Sequence, residues 1–398
     1  MSEWQSSSIG RLVAAGALEF GDGYRTKRSE HGLPGYRIIR VADVMDNKVN
    51  FDGQDFVAED FGKAIGSKSG QPGDILLTTK GTVGRVAVMP KTGERVVYSP
   101  QLCYFRVSNA EIIDPRFLRF WFNSPEFWGQ AADRMNNTDM AAYINMADIR
   151  SLKISLPDVE KQRAIAEILG ALDDKIAANT KVASAADEYI RTILIQLNLG
   201  ATESIAIGKL VSNRKDLADP NHLEPDLNYL GLEHLPRRSM WANASGSAVS
   251  VTSTKARFDS GDILFGKLRP YFHKVVVAPS SGVCSTDILT LTPVSNELAG
   301  FALASVASDY VVERATAASE GTRMPRTSWK DLAAIEVTWP GRERAKAFSK
   351  NVSDLRLAVE SLYRESTTLA ATRDALLPQL MSGKLRVKDA ETLVSAVI

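Results

Sequence analysis

At 398 residues the chain exceeds what one hydrophobic core usually serves, so two domains are expected, and 44% apolar with 24% charged residues is the composition of a folded protein. The 48 Lys and Arg offset 47 Asp and Glu, so overall charge argues neither for nor against a polyanionic partner, and any nucleic-acid affinity has to come from local clustering. Cys103 and Cys284 are too few for a disulfide framework or a structural zinc site and fit a reducing, cytoplasmic setting, while secretion and membrane insertion are unexpected because the N-terminus lacks a basic-then-apolar leader and no run is long enough to span a bilayer.

The first block, residues 1–157, alternates short β-like runs with turn signals. Tyr36-Arg-Ile-Ile-Arg-Val-Ala-Asp-Val, Gly73-Asp-Ile-Leu-Leu-Thr-Thr, Val83-Gly-Arg-Val-Ala-Val-Met and Leu102-Cys-Tyr-Phe-Arg-Val are predicted strands, separated by Gly- and Pro-rich loops. From Asp114 the spacing of Phe117, Leu118, Trp121 and Phe122 predicts a helix with Pro115 in its first turn, and a final strand, Leu152-Lys-Ile-Ser-Leu, ends at Pro157.

Residues 158–200 read as one uninterrupted helix, opened by the N-cap Asp158 with Glu160 in the first turn and stopped at Gly200. Ile165, Leu169, Leu172, Ile176, Asn179, Ala183, Ala186, Ile190, Ile193 and Leu197 alternate in steps of four and three, a heptad seam with one polar member. At about 1.5 Å per residue such a helix is a rod of roughly 60 Å that needs a partner of its own length. The partner is a second copy of the seam, Phe348, Val352, Leu355, Val359, Leu362, Ser366, Leu369, Arg373, Leu376 and Leu380, on a helix predicted over 341–383. Asn179 has Leu362 as its counterpart, which suits either a register device or an asymmetric contact. The outer faces, with Lys161, Arg163, Asp173, Asp174 and Lys175, suit solvent or another subunit.

The block 201–340 between the helices repeats the first in outline. Tyr229-Leu-Gly-Leu-Glu answers the Tyr36 run, Gly261-Asp-Ile-Leu-Phe-Gly-Lys-Leu-Arg-Pro-Tyr the Gly73 run, and Asp331-Leu-Ala-Ala-Ile-Glu-Val-Thr-Trp-Pro340 the run from Asp148 to Pro157. Framework is shared while loops differ in length, the pattern of a duplicated scaffold that recognises two different things. The tail 384–398 has no counterpart. The expected fold is therefore α+β: two similar globular recognition domains and two long helices. Because the first helix enters the second globule and the second helix leaves it, the pair is expected to form an antiparallel coiled coil, with a pseudo-twofold repeat that puts the globules at opposite ends and suits a two-part target on DNA.

No catalytic constellation stands out. The chain lacks the Pro-Pro of an amino-methyltransferase motif, with Asn123-Ser-Pro-Glu the nearest approach, and Phe20-Gly-Asp-Gly-Tyr has no strand-turn-helix around it to make a methyl-donor turn. His31, His222, His234 and His273 are scattered without metal-binding spacing, and capping explains the acids of Pro157-Asp-Val-Glu-Lys161. More informative are polar loops at matching places in the two copies. Tyr24, Arg25, Lys27 and Arg28 crowd one loop. Lys80, Thr82 and Arg85 surround the Gly81-to-Gly84 turn, and Lys267, Arg269 and Tyr271 occupy the matching turn of the second copy. Before the final strands lie Asn136, Asn137 and Tyr143 in the first copy and Thr322, Arg323 and Arg326 in the second. Arg and Lys bridge guanine edges or hold phosphates and Asn pairs with adenine, so these are side chains that groove readout needs, although solvated loops carry charge in any case.

The duplicated Gly-Asp-Ile-Leu runs, Tyr229-Leu-Gly-Leu-Glu, the strands ending Leu156-Pro157 and Trp339-Pro340, and helices that begin Glu160-Lys-Gln-Arg-Ala-Ile-Ala and end Leu376-Leu-Pro-Gln-Leu-Met-Ser-Gly-Lys-Leu resemble the specificity subunit of type I restriction-modification enzymes over nearly the whole chain. The resemblance implies a non-catalytic subunit whose two target recognition domains each read half of a split double-stranded DNA site while the helices set the spacer. Two modification subunits that methylate adenine would dock around it, joined by restriction subunits that translocate and cleave. S-adenosylmethionine, ATP and Mg would then belong to those partners, with no cofactor or metal in this chain. One departure, Ala345 where the first copy has Gln162, implies non-equivalent docking at the two helix starts. The competing reading is a protein-interaction adaptor with a coiled-coil spacer and no DNA binding.

Overall fold

The computed structural model describes residues 4–137, 142–224, 226–321 and 323–395. The chain divides into two units, residues 1–175 with 368–398 and residues 176–367. In the first, the apolar Gly-Asp-Ile-Leu strand lies inside a four-stranded antiparallel sheet ordered Leu18–Asp22, Leu102–Val107, Ile75–Thr78, Val86–Val88. Buried on both faces, Ile75, Leu76, Leu77 and Thr78 read as a continuous run rather than an alternation. A second sheet joins Phe56–Ala58, Gly35–Ile39 and Val96–Tyr98, the last two parallel. Gln5–Ser8 pairs with Lys153–Leu156, so the domain's first strand closes on its last.

The second unit repeats this topology. Val211–Asn213, Ile288–Pro293, Ile263–Gly266 and Val275–Val277 make the main sheet, Asn228–Leu230 runs parallel to Gly282–Cys284 in the second sheet, and Glu203–Ala206 closes on Glu336–Trp339. The fold is α+β and duplicated, as the repeated runs predict. No helix among the described residues is long and apolar enough to cross a membrane.

The Gly-Asp-Ile-Leu signature has a physical reason. Gly73 and Gly261 adopt φ of 90° and 91°, a left-handed conformation that favours glycine. The aspartate that follows is buried in each copy. Asp74 accepts hydrogen bonds from Tyr98 Oη, from Gln71 N and from Arg106 Nε and Nη2, each at 2.8 Å. Asp262 accepts from Thr292 Oγ1 at 2.7 Å and Asp259 N at 2.8 Å, with Arg214 Nε at 3.1 Å. Thr292 holds the strand position of Arg106, so the carboxylate is constant while its partners are redistributed. Burial, and Asp74 beside it, push the Tyr98 phenol far above its ordinary range, which keeps it a donor.

The long helices span Val159–Asn198 and Arg342–Met381. Asp158 Oδ1 accepts from Lys161 N at 3.0 Å, and its hydrogen bonds to Lys161 hold its carboxyl below the usual range. Glycines in the left-handed region, Gly200 and Gly383, follow the helix ends. Each helix is shared: residues 159–175 and 368–381 lie in the first unit, 176–198 and 342–367 in the second. All twenty seam positions are buried or half-buried. In the second unit Arg344 Nη2 donates to Leu197 O at 2.7 Å while Asn179 Nδ2 donates to Leu362 O, Glu365 Oε2 and Ser366 Oγ, so the segments run antiparallel. In the first, Arg373 Nη1 meets Asp173 Oδ1 at 2.6 Å. Asn179 is thus a satisfied, asymmetric cross-helix contact, and Leu362 answers it through its backbone carbonyl. Val387–Ser395, in the tail, forms a further helix with Ala390 and Val394 buried.

Gln162 is turned inward. Its amide accepts from Asp114 N at 2.9 Å and donates to Pro157 O and Ile112 O. In the second copy Ala345 is equally buried, and Ser349 Oγ takes on a backbone donor, Phe301 N, at 2.9 Å. Gln162 and Ala345 are both internal, and Ser349 accepts from the N–H that corresponds to Phe117 N, which Asp114 Oδ1 meets in the first copy.

Asp74→Ala strands the Arg106 guanidinium, largely shielded from solvent, without its main carboxylate, and is expected to destabilise the first unit by about 3 kcal/mol or more in denaturant unfolding of the whole chain. A loss under about 1 kcal/mol would show that other contacts hold these strands.

Candidate nucleic-acid interface

Each main sheet ends in a turn whose frame is the same in both copies. Thr78 N donates to Arg85 O at 3.0 Å and Gly266 N to Lys274 O at 2.8 Å, which makes Lys274 the counterpart of Arg85. Gly81 and Gly84, at φ 84° and 98°, then correspond to Arg269 and His273, at φ 51° and 53°. Two residues, Thr82 and Val83, lie between the left-handed positions in the first copy and three, Pro270, Tyr271 and Phe272, in the second. A left-handed conformation costs a non-glycine residue roughly 1–2 kcal/mol, so the second turn is held by its surroundings.

The loop before the final strand comes to this turn. In the first unit Gly81 N donates to Ala142 O and Ile144 N to Thr79 O, both at 3.0 Å, with Lys80 opposite Tyr143. In the second, Arg269 N donates to Pro325 O at 2.7 Å and Thr327 N to Lys267 O at 3.1 Å, with Leu268 opposite Arg326. Loops that are distant in sequence are therefore one backbone-bridged group in each copy. Asn136–Asn137 pairs with Ala142–Tyr143 and joins the first group; the side chains of Asn136 and Asn137 and all of Thr138, Asp139 and Thr322 lie outside the described residues.

The Tyr24 loop also leaves at this end of the first sheet. Asp22 and Leu77 both stand opposite Cys103 from either side, so the two loops emerge about 10 Å apart, two strand spacings. Arg25, Lys27 and Arg28 are exposed there, as are Lys80 and Thr82. Tyr24 is instead packed against the Ile38, Val57, Ile65 and Val97 cluster, where it anchors the loop. Arg85 does not join the group: its guanidinium lies 3.4 Å from Val44 O and 3.7 Å from Met45 Sδ, on a cleft of about 600 Å³ lined also by Asn47, Trp128 and Leu377.

In the second unit Lys267 and Arg269 are half-buried and Arg323 is exposed, while Arg326 is paired with Asp287, Nε to Oδ1 at 3.1 Å. Arg237 belongs here although no loop motif singles it out. Its guanidinium lies 4.1 Å from the Phe272 ring centroid, with that of Arg269 at 6.0 Å. The Pro-Arg-Arg run at 236–238 is the only sequence signal for it. Arg238, also left-handed at φ 54°, is tied to Asp309 at 2.9 Å and donates its N–H to His273 O at 2.8 Å. His273 is buried, with Nε2 donating to Ala307 O at 2.8 Å and Nδ1 3.3 Å from Asp309.

Catalytic chemistry has little to work with among the described residues. No group of three or more His, Cys, Asp or Glu is placed to hold a metal ion. Burial pushes the Cys284 thiol up to about 11 and the Cys103 thiol higher still, so both are poor nucleophiles at neutral pH.

The scaffold is thus a duplicated α+β one that carries polar, cation-bearing loops at one end of each main sheet. Residues 1–185 match the family described as type I restriction modification DNA specificity domain. The chain is 23% identical to the MjaX type I restriction enzyme specificity subunit of Methanocaldococcus jannaschii over 383 residues, 89% of this chain and 88% of that one. With the Escherichia coli EcoDI type I specificity subunit it shares 23% over 290 residues, 61% of this chain and 64% of that one. The solved S subunit of a type I restriction-modification system from M. genitalium has the same fold, with a TM-score of 0.52 at 15% identity over 95% of this chain and 96% of that chain. The chain is thus similar to type I DNA specificity domains over residues 1–185 and shares the fold of a solved type I S subunit over nearly its whole length.

Desolvation holds the His273 imidazole below its ordinary pKa, with Arg191 and Arg238 acting in the same sense against Asp309 and the Ala307 carbonyl. The unfolded chain therefore binds this proton first, and stability present above about pH 6.5 is lost as pH falls through the depressed folded value. The thermal midpoint is expected to drop more between about pH 8 and 5.5 in the wild type than in His273→Asn, which tolerates the left-handed backbone. Parallel pH profiles would contradict this.

Proposed function

We propose that the chain is the non-catalytic DNA-reading subunit of a type I restriction-modification complex, with each domain reading one half of a bipartite duplex site. The long helices set the spacer and dock two modification subunits, to which restriction subunits add. S-adenosylmethionine, ATP and Mg serve those partners, in a cytoplasmic complex. The observation that carries this reading is the bridged loop pair present in both domains. It brings together the loops of Lys80 and Thr82 with Tyr143 in one domain, and those of Lys267, Arg269 and Tyr271 with Arg323 in the other, on backbones fixed by hydrogen bonds, and the exposed Arg25, Lys27 and Arg28 lie on a neighbouring loop of the first. Cations on fixed loops provide phosphate contacts that position the duplex, and side chains beside them reach base edges.

The chain assembled with its modification subunits should bind duplex DNA with an affinity that falls roughly a thousandfold between about 50 and 200 mM salt, as six or more neutralised phosphates require. Lys267→Ala should reduce the steepness of that fall by about one unit of log–log slope. Binding independent of salt, or absent, would point to a protein adaptor.

A further inference from the structure

The two turns share a frame and differ at their tips, and that difference has a consequence for what each domain reads. We propose that the turn tip is a specificity-determining element, with Tyr271 touching a base of the second half-site where the shorter first turn offers no aromatic side chain. This rests on the DNA-reading function proposed above.

In the first turn the left-handed positions are glycines, and the ring that supports the turn comes from outside it. Trp128 lies so close over Gly84 that a Cβ there would be 2.0 Å from its ring. The second turn carries its own ring. Phe272 sits beneath Arg237 and beside Arg269, and Tyr271 packs edge-on against it at 4.8 Å between centroids. Arg269 and His273 hold left-handed backbones without being glycine, and each uses its side chain. His273 donates through Nε2 to Ala307 O, while Arg269 reaches Phe272 and the Arg323 carbonyl at 3.4 Å. The extra residue and the two strained positions have one visible result, a tyrosine 51% exposed on a rigid base among guanidinium groups.

An exposed phenol combines a flat ring with a hydroxyl, which neither Thr82 nor Val83 of the first turn does. Its ring packs on a thymine methyl or a base face, and its hydroxyl donates to or accepts from a base edge. Flanking cations hold the phosphates on either side. Beyond its edge contact with Phe272, Tyr271 lies outside the buried core.

The test uses the full chain with its modification subunits, selecting from a random-sequence duplex library. Tyr271→Val, which removes both ring and hydroxyl from the tip, should change the preferred base at one or two positions of the second half-site and weaken binding to the wild-type site about tenfold. The first half-site and the spacer should be unchanged, which also reports that the variant is folded. Tyr271→Phe should keep any preference due to the ring and lose any due to the hydroxyl. If Tyr271→Val and Tyr271→Ala select the wild-type half-site at wild-type affinity, or lose affinity with no change of preference, Tyr271 reads no base and the inference fails while the DNA-reading function stands. If the wild type selects no sequence at all, that function fails and this inference with it.

Discussion

Everything the loops can do depends on a buried carboxylate in the strand they leave. Asp74 and Asp262 sit one residue after a left-handed glycine and draw in a neighbouring strand through Arg106 in one domain and Thr292 in the other. A buried carboxylate with several donors is hard to move, because any displacement leaves charge or donors unmatched in a low-dielectric interior. The strand is therefore fixed, and the turn that follows it starts from a fixed point. The bridge to the loop before the last strand fixes the other side. A reading surface built this way is stiff in its backbone while free to change its side chains, which is what two copies with different targets require.

The helix seam supplies the second constraint. Apolar residues in steps of four and three exclude water along each pair of segments, and Asn179 is placed where an unmatched amide would be costly in any other register. Its partners, a carbonyl, a carboxylate and a hydroxyl, come from the stretch that carries its repeat counterpart. Duplication thus produced a near-symmetric seam with one asymmetric lock. The interchange of Asp114 and Ser349 as caps of the Phe117 and Phe301 amides shows the same tolerance: the task is conserved between copies while the residue that performs it moves.

Elements with a periodic signal were legible in the sequence. The strand runs, the helix face from Phe117 to Phe122, both long helices and the order of the repeat all follow from local spacing, because burial imposes a period of two or about 3.6 on the residues themselves. The candidate site was legible only by residue type. Backbone bridges such as Gly81 to Ala142 leave no mark in side-chain pattern, so two loops that form one surface read as separate features. Partnering was equally hidden: nothing local distinguishes Arg326, held by Asp287, from Arg323, and nothing in its loop shows that Arg85 faces a cleft. Arg237 was missed because its role depends on Phe272, which arrives from a distant turn.

The central claim is that one chain reads two separate sequences. Sequencing of modified bases in cells carrying the complete system tests it most directly. Two short specified blocks separated by an unspecified gap of constant length are predicted; a single contiguous recognition sequence, or modification without sequence preference, would contradict the account.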